Sequence, residues 1–221
     1  MSDNEAGFTI IEVVVSVVLV AIMITVITGF GLSTLSSYSI NTARAELLGD
    51  ARLATDIVNR DIRLSANVDE ANRIDDNNAP NAPDDTLSWQ SDENVLVLAT
   101  PAEDTDGNIL FADASNYVTE KNNHIYYVEN GELRRRVLAA DVAENSAVTT
   151  CPPEQASEDC PADSVFAENV ATFQLRYVDR LGEETTVDNA RAVEMVLELA
   201  AERFGRTIEV NQESRMVFRN D

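Results

Sequence analysis

The sequence predicts an α+β chain in which one long N-terminal helix, a membrane half followed by an amphipathic half, packs on an antiparallel β-sheet. Three observations carry that expectation. Residues 13–32 are twenty consecutive uncharged, mostly apolar residues. Residues 43–64 keep a helical rhythm without proline. Beyond residue 94, apolar and polar residues alternate between Gly, Pro and Asn turns, as they do in half-buried strands.

The apolar run comes first. At about 1.5 Å per residue it reaches across the roughly 30 Å hydrocarbon core of a bilayer. A cleavable secretory signal has a basic start and an apolar core of about 7 to 15 residues. Here the leader MSDNEAG is acidic and the run is longer, so an ordinary signal peptide fits badly. The only charge between Gly7 and Leu32 is Glu12. An anionic side chain in a membrane helix costs about 2.5 to 3.5 kcal/mol on insertion scales and so has a partner or a task. No Lys or Arg precedes Arg44, which leaves an amine terminus or another molecule as that partner.

A Ser-rich stretch, STLSSYS, follows Leu32, and helical rhythm then resumes to about Leu64, broken only by Gly49. Leu47, Ala51, Ala54, Val58 and Ile62 recur at spacings of three and four and define one apolar face. Arg52, Asp56 and Arg60 stand at i,i+4 on another face. The first half of this helix, apolar all round, suits lipid or a helix bundle, while the second half must lie on something, and a sheet is the natural support.

Residues 67–94, centred on DDNNAPNAPDD, read as a surface loop with Trp89 anchoring its end. Val95 to Thr100 begins the strands, and Pro101 to Asn108 reads as a turn. Its D-T-D-G-N lacks the glycine offset and the closing Glu of a calcium loop. From His124 to Val137, Asn130-Gly131 separates two strand-like arms, the signature of a β-hairpin. His124 reads as a lone surface histidine. Phe173, Leu175 and Tyr177, then Val193, Met195, Leu197 and Leu199, alternate with polar neighbours, and Arg215 to Arg219 closes an edge. An antiparallel sheet of about four to six strands is expected against the second half of the helix.

Composition narrows the function. The chain has 221 residues, with 16 Lys plus Arg against 39 Asp plus Glu and a formal charge of −23, which suits one membrane segment and one modest domain. Such a surface repels phosphate, and the run Arg134 to Arg136 sits among acidic neighbours, so no nucleic-acid partner is expected. Cys151 and Cys160 bound the short loop CPPEQASEDC in the part expected to be extracytoplasmic. A disulfide is the natural reading, worth roughly 2.5 to 3 kcal/mol for a loop of about ten residues in the chain-entropy model. Two free thiols are the alternative. Zinc lacks ligands, since only His124 could join the cysteines and a structural site takes about four. No Ser-His-Asp set, metal cluster or phosphate loop stands out, so no catalytic residue, metal or cofactor is expected.

G-F-T-I-I-E-V followed by an apolar helix resembles the class III signal of type IV prepilins and type II secretion pseudopilins. The resemblance implies cleavage after Gly7 by prepilin peptidase, N-methylation of Phe8, and Glu12 as an assembly contact. It divides the chain into a leader at residues 1–7, a transmembrane and filament-core helix at 8–32, an amphipathic continuation at 33–66 and an extracytoplasmic sheet domain at 67–221. Its implied partners are the peptidase, the inner membrane, and other major and minor pilins or pseudopilins. The implied location is a single pass of the inner membrane, then the pilus or pseudopilus. Two features depart from the pattern. The leader carries no Lys or Arg, so orientation rests on translocation of the acidic C-terminal part or on a true start upstream of Met1. Gly29, followed by Gly31, stands where many major pilins place a proline. More loosely, RLATDIVNRDIRLSA, IYYVENGELRR and ENVATFQLRYVD resemble PilW-type minor pilins and J-type pseudopilins. The function implied is a minor pilin-like structural subunit that helps to prime or tip a type IV pilus, not an enzyme. A minor pseudopilin of a type II secretion system is the alternative, and a membrane-anchored extracytoplasmic enzyme or sensor the third class.

Overall fold

The computed structural model describes residues 9–65 and 67–218. One helix, α1 (Ile10–Leu64), runs unbroken through both halves, glycines included. It starts at a capping box, in which the Thr9 side chain accepts from the Glu12 backbone N–H and the Glu12 carboxylate accepts from the Thr9 backbone N–H. It stops at Ser65, whose backbone turns extended while its N–H donates to Asp61 O at 2.9 Å and its hydroxyl to Ile62 O at 2.7 Å.

Ten strands follow among the described residues: β1 (Asn67–Val68), β2 (Leu96–Pro101), β3 (Phe111–Asp113), β4 (Val118–Thr119), β5 (Lys121–Glu129), β6 (Glu132–Leu138), β7 (Ser164–Ala167), β8 (Val170–Val178), β9 (Ala192–Arg203) and β10 (Arg206–Val217). Every pairing between them is antiparallel. They form not one sheet of about four to six strands but a five-stranded sheet in the order β1-β2-β5-β6-β7, a three-stranded sheet β10-β9-β8, and the small pair β3-β4. The division falls at Glu168-Asn169, where Asn169 adopts a left-handed φ of 59° and turns the chain from β7 out of one sheet into β8 of the other. Backbone bonds from Val170 N to Gly131 O and from Leu175 N to Glu93 O, each 2.8 Å, then tie β8 to the β5–β6 turn and to the segment that leads into β2. The last strand is also longer than the expected edge at residues 215–219, because the β9–β10 hairpin pairs along its whole length from Arg206 to Val217; Arg219 lies outside the described residues.

Both larger sheets support the second half of α1. Ala43, Leu47, Ala51, Ala54, Val58 and Ile62 are buried with Phe173, Leu175, Tyr177, Val193, Met195, Leu197 and Leu199 of the three-stranded sheet and Leu96, Leu98, Tyr126 and Leu133 of the other. The alternation of strands and the helical stripe are two periodicities meeting on one surface. Strand residues of opposite parity, Val97, Ile125, Tyr127 and Leu138, face away from the helix and pack with Trp89 and Ala79. Residues 69–92 are therefore not a plain surface loop. They form a second cover over the five-stranded sheet, pinned by Trp89 Nε1 donating to Asp76 Oδ2 at 2.7 Å and by Asn72 Nδ2 donating to Ile74 O and Thr86 O at 2.8 and 2.9 Å. An apolar back face left in water would itself be a liability, and this segment removes it.

Candidate assembly helix and its anchor

From Ile10 to Tyr38 every Val, Ile, Leu, Met, Phe and Tyr side chain of α1 is exposed. The helix is long and apolar enough to cross a membrane, and none of its most apolar window is buried by the rest of the chain. Ser16, Thr25 and Thr34 each donate to the carbonyl four residues back, at 2.7, 2.8 and 2.9 Å, so their polar atoms are satisfied within the helix. Up to Leu32 the helix is an apolar rod suited to lipid or to other helices, and the Ser-rich turns follow it.

Glu12 stands at the head of that rod. Its Oε2 accepts from Thr9 N at 3.0 Å and from Thr9 Oγ1 at 2.9 Å, while Glu12 N donates to Thr9 Oγ1 at 3.4 Å. The carboxylate thus satisfies donors that the first helical turn leaves unpaired, and its charge suits the positive end of the helix dipole. Reading Glu12 only as a charge in need of a cation misses this local partner, although the Thr-x-x-Glu spacing announces it. Gly7 and Phe8 lie outside the described residues.

Residues 2–28 match the family model of the prokaryotic N-terminal methylation motif. The match supports a pilin- or pseudopilin-like substrate of prepilin peptidase, and the exposed apolar helix fits a single-pass, membrane-anchored subunit. No curated protein matches the chain.

The other end of the helix is held by a second carboxylate. Asp61, 3 % exposed, lies inside the apolar stripe between Val58 and Ile62. Its Oδ2 accepts from Tyr126 Oη at 2.6 Å and Arg135 Nη1 at 2.8 Å and meets His124 Nδ1 at 2.9 Å; Oδ1 meets Arg60 Nε at 3.3 Å. His124 is therefore not a lone surface histidine. It sits on the helix-facing side of β5, where register puts it on the same face as Tyr126. Arg60 likewise turns to Asp61 rather than to Asp56. Burial alone would raise the Asp61 carboxyl, but the His124 hydrogen bond and charge, the Tyr126 hydroxyl and the Arg135 guanidinium together hold it well below the usual carboxylate range. Burial, with the Asp61 charge beside it, pushes the Tyr126 phenol far above its ordinary value. The Arg135 guanidinium also lies over the Phe166 ring, 5.1 Å from its centroid.

The three arginines of β6 part company because a strand sends neighbours to opposite faces. Arg135 faces the helix. Arg136, 2 % exposed, faces the cover segment, where it meets Asp163 through Nη2 at 2.7 Å and Nε at 3.2 Å and Asp76 through Nη1 at 2.9 Å, beneath the rings of Trp89 and Tyr127. Arg134 pairs with Glu132. Tyr127 Oη and Thr150 Oγ1 complete the shell of Asp163 at 2.7 and 2.6 Å. Beside it Cys151 and Cys160 are joined, with Cα atoms 5.6 Å apart, and Asp163 N donates to Cys151 O. One buried ion cluster therefore holds two irregular segments, residues 69–92 and 149–163, to the sheet. Two arginines of this run are thus internal fasteners, while Arg134 pairs within its own strand. Asp61 and Arg136 are both buried, and each joins segments far apart in sequence.

Proposed function

We propose that this chain is a minor structural subunit of a type IV pilus-type filament, cleaved after Gly7, N-methylated on Phe8 and carried in the inner membrane by residues 8–32 before assembly. In this reading residues 33–66 are the amphipathic continuation that carries residues 67–221, the extracytoplasmic domain. The observation that supports it is the pairing of the methylation motif over residues 2–28 with a helix whose apolar first half is covered by nothing among the described residues. Cleavage would create an α-amine on Phe8, one residue from Thr9, whose N–H already meets the Glu12 carboxylate at 3.0 Å. In a bundle of such helices the amine of one subunit can approach Glu12 of its neighbour away from water, where each charge relieves the other. The loose likeness of residues 52–66, 125–135 and 168–179 to PilW-type minor pilins supports a minor rather than a major subunit.

Peptide mass spectrometry of the amino terminus, from cells with and without prepilin peptidase, tests the reading. The expected mature peptide begins with N-methylated Phe8 and disappears without the peptidase. An intact Met1 leader on chain recovered from assembled filaments would sink it.

A further inference from the structure

The β9–β10 hairpin turns through Phe204-Gly205, with φ of 52° and 67°, both left-handed. Such two-residue turns favour Asn-Gly, which the β5–β6 hairpin uses at Asn130-Gly131. A bulky aromatic at positive φ is a genuine outlier. The flanking pair Arg203 and Arg206 stand directly opposite each other, where like charges destabilise. Phe204 itself is 69 % exposed, on a chain of net charge −23. Three local costs thus fall on four consecutive residues, and such a concentration marks a place shaped for something other than folding.

A cleft of about 800 Å³ lies elsewhere on the same chain. Leu175, Val187 and Val196 give it apolar walls, and five carboxylates, Glu70, Asp92, Glu93, Glu184 and Glu194, line it against one guanidinium, Arg176. Arg176 already pairs with Glu194. At its rim Glu70 shares a hydrogen bond with Asp188, which raises the Glu70 carboxyl and leaves two acids side by side. The cleft's volume falls within the range of about 300 to 1,000 Å³ that accepts a compact ligand.

We propose that the Arg203-Phe204-Gly205-Arg206 tip of one copy of this chain docks in the carboxylate-lined cleft of a second copy, ring inward and guanidinium groups on the rim. Charge complementarity selects the occupant, because the cleft offers five carboxylates to a tip that carries two guanidinium groups and an exposed ring. One copy cannot fill its own cleft. Ten residues of β9 separate Phe204 from Glu194, roughly 30 Å at about 3.3 Å per residue. The contact therefore joins two copies: docked one way it propagates head-to-tail along an assembly, and docked reciprocally it closes a two-fold dimer. It rests on the sheet domain and needs neither processing at Gly7 nor the Glu12 contact.

A contact of this size is weak by itself, so trapping is the suitable readout. Full-length chains in detergent micelles, one tagged and bearing Thr207→Cys beside the intact tip, the other differently tagged and bearing Thr186→Cys at the cleft, are mixed under mild oxidation; the native cysteines are already paired. The disulfide between copies should form roughly tenfold more than between Thr207→Cys and Tyr117→Cys, an exposed control position. Adding Arg203→Glu and Arg206→Glu to the tip chain should abolish the excess, and Glu93→Arg with Glu184→Arg on the cleft chain should restore it. Equal yield at cleft and control would overturn the proposal. So would an unchanged yield after the tip charges are reversed, or a tip whose reversal weakens only its retention on phosphatidylglycerol vesicles, which would assign it to a lipid surface.

Discussion

Two carboxylates on one helix, Glu12 and Asp61, sit about fifty residues apart and meet opposite surroundings. Asp61 has a hydroxyl, a guanidinium and an imidazole from β5 and β6 around it and is buried. Glu12 has, among the described residues, only Thr9 of its own first turn and stands exposed at the head of an apolar rod. The halves of the helix differ in the same way, one finding its apolar partner within the chain and the other finding none there. A polar group in an apolar stripe is resolved where the fold supplies partners, and where it does not, the remaining partners must come from assembly. Changes near Asp61 should therefore be felt as folding, and changes near Glu12 as assembly.

The largest expected effect tests that division. Asp61→Ala leaves Arg135 and Tyr126 without their shared acceptor in the core and should lower the stability of the sheet domain by about 3 to 5 kcal/mol, read from denaturant midpoints of the full chain in micelles. Glu12→Val, in the same assay, should fall within about 0.5 kcal/mol of wild type, because the site is exposed and apolar surroundings accept valine. Its effect should appear instead in the fraction of processed protein that co-purifies with filaments or crosslinks to partner pilins. A Glu12→Val chain that assembles like wild type would remove Glu12 from the assembly contacts, and an Asp61→Ala chain as stable as wild type would erase the contrast between the two sites.

The pH dependence sharpens the same contrast at smaller scale. Because the folded Asp61 carboxyl is held below its ordinary value of about 3.9, its contribution to stability is fully present above that value and is lost as pH falls through the folded value. The stability gap between wild type and Asp61→Asn should thus shrink as pH falls below about pH 4, by at most ~1.4 kcal/mol per pH unit. Titrating urea midpoints of both chains measures it. A gap that does not change below about pH 4 would mean that the ionised carboxylate is not what holds the helix end.

How far these sites were legible in the chain follows from what periodicity encodes. Spacings of three and four named Leu47, Ala51, Ala54, Val58 and Ile62, and all five are buried. Alternation likewise picked the inward residues of β8 and β9, because the pleat alone decides which face a side chain takes. Partner choice is not periodic. Nothing near Arg136 in sequence announces Asp76, sixty residues before it, or Asp163, twenty-seven after. Residues 69–92 therefore have the composition of a loop in sequence, because their anchor on Arg136 lies elsewhere in the chain. Asp61 was hidden more thinly, since an acid between Val58 and Ile62 on an apolar stripe already calls for a buried partner. Splitting the strands between two sheets rests on a single left-handed residue, Asn169, which no local pattern distinguishes from an ordinary turn.

The smallest effect lies in the apolar half, at Gly29 and Gly31, where a Cβ would meet nothing within 4 Å. Glycine in a helix interior costs about 0.5 to 1 kcal/mol relative to alanine, chiefly because the unfolded chain has more freedom to lose. In the second half such a change would also be judged by packing, as Ala51 and Ala54 are, with sheet residues against them. Here only the helix itself responds. Gly29→Ala with Gly31→Ala should raise amide-exchange protection around residues 27–33 in micelles by roughly fivefold to thirtyfold, the range that about 1 to 2 kcal/mol covers. The denaturant midpoint of the sheet domain should not move, because no contact with it passes through these positions. A shift of that midpoint would show that the two halves of the helix are coupled through its backbone, and the division of labour between Glu12 and Asp61 would then be one of degree.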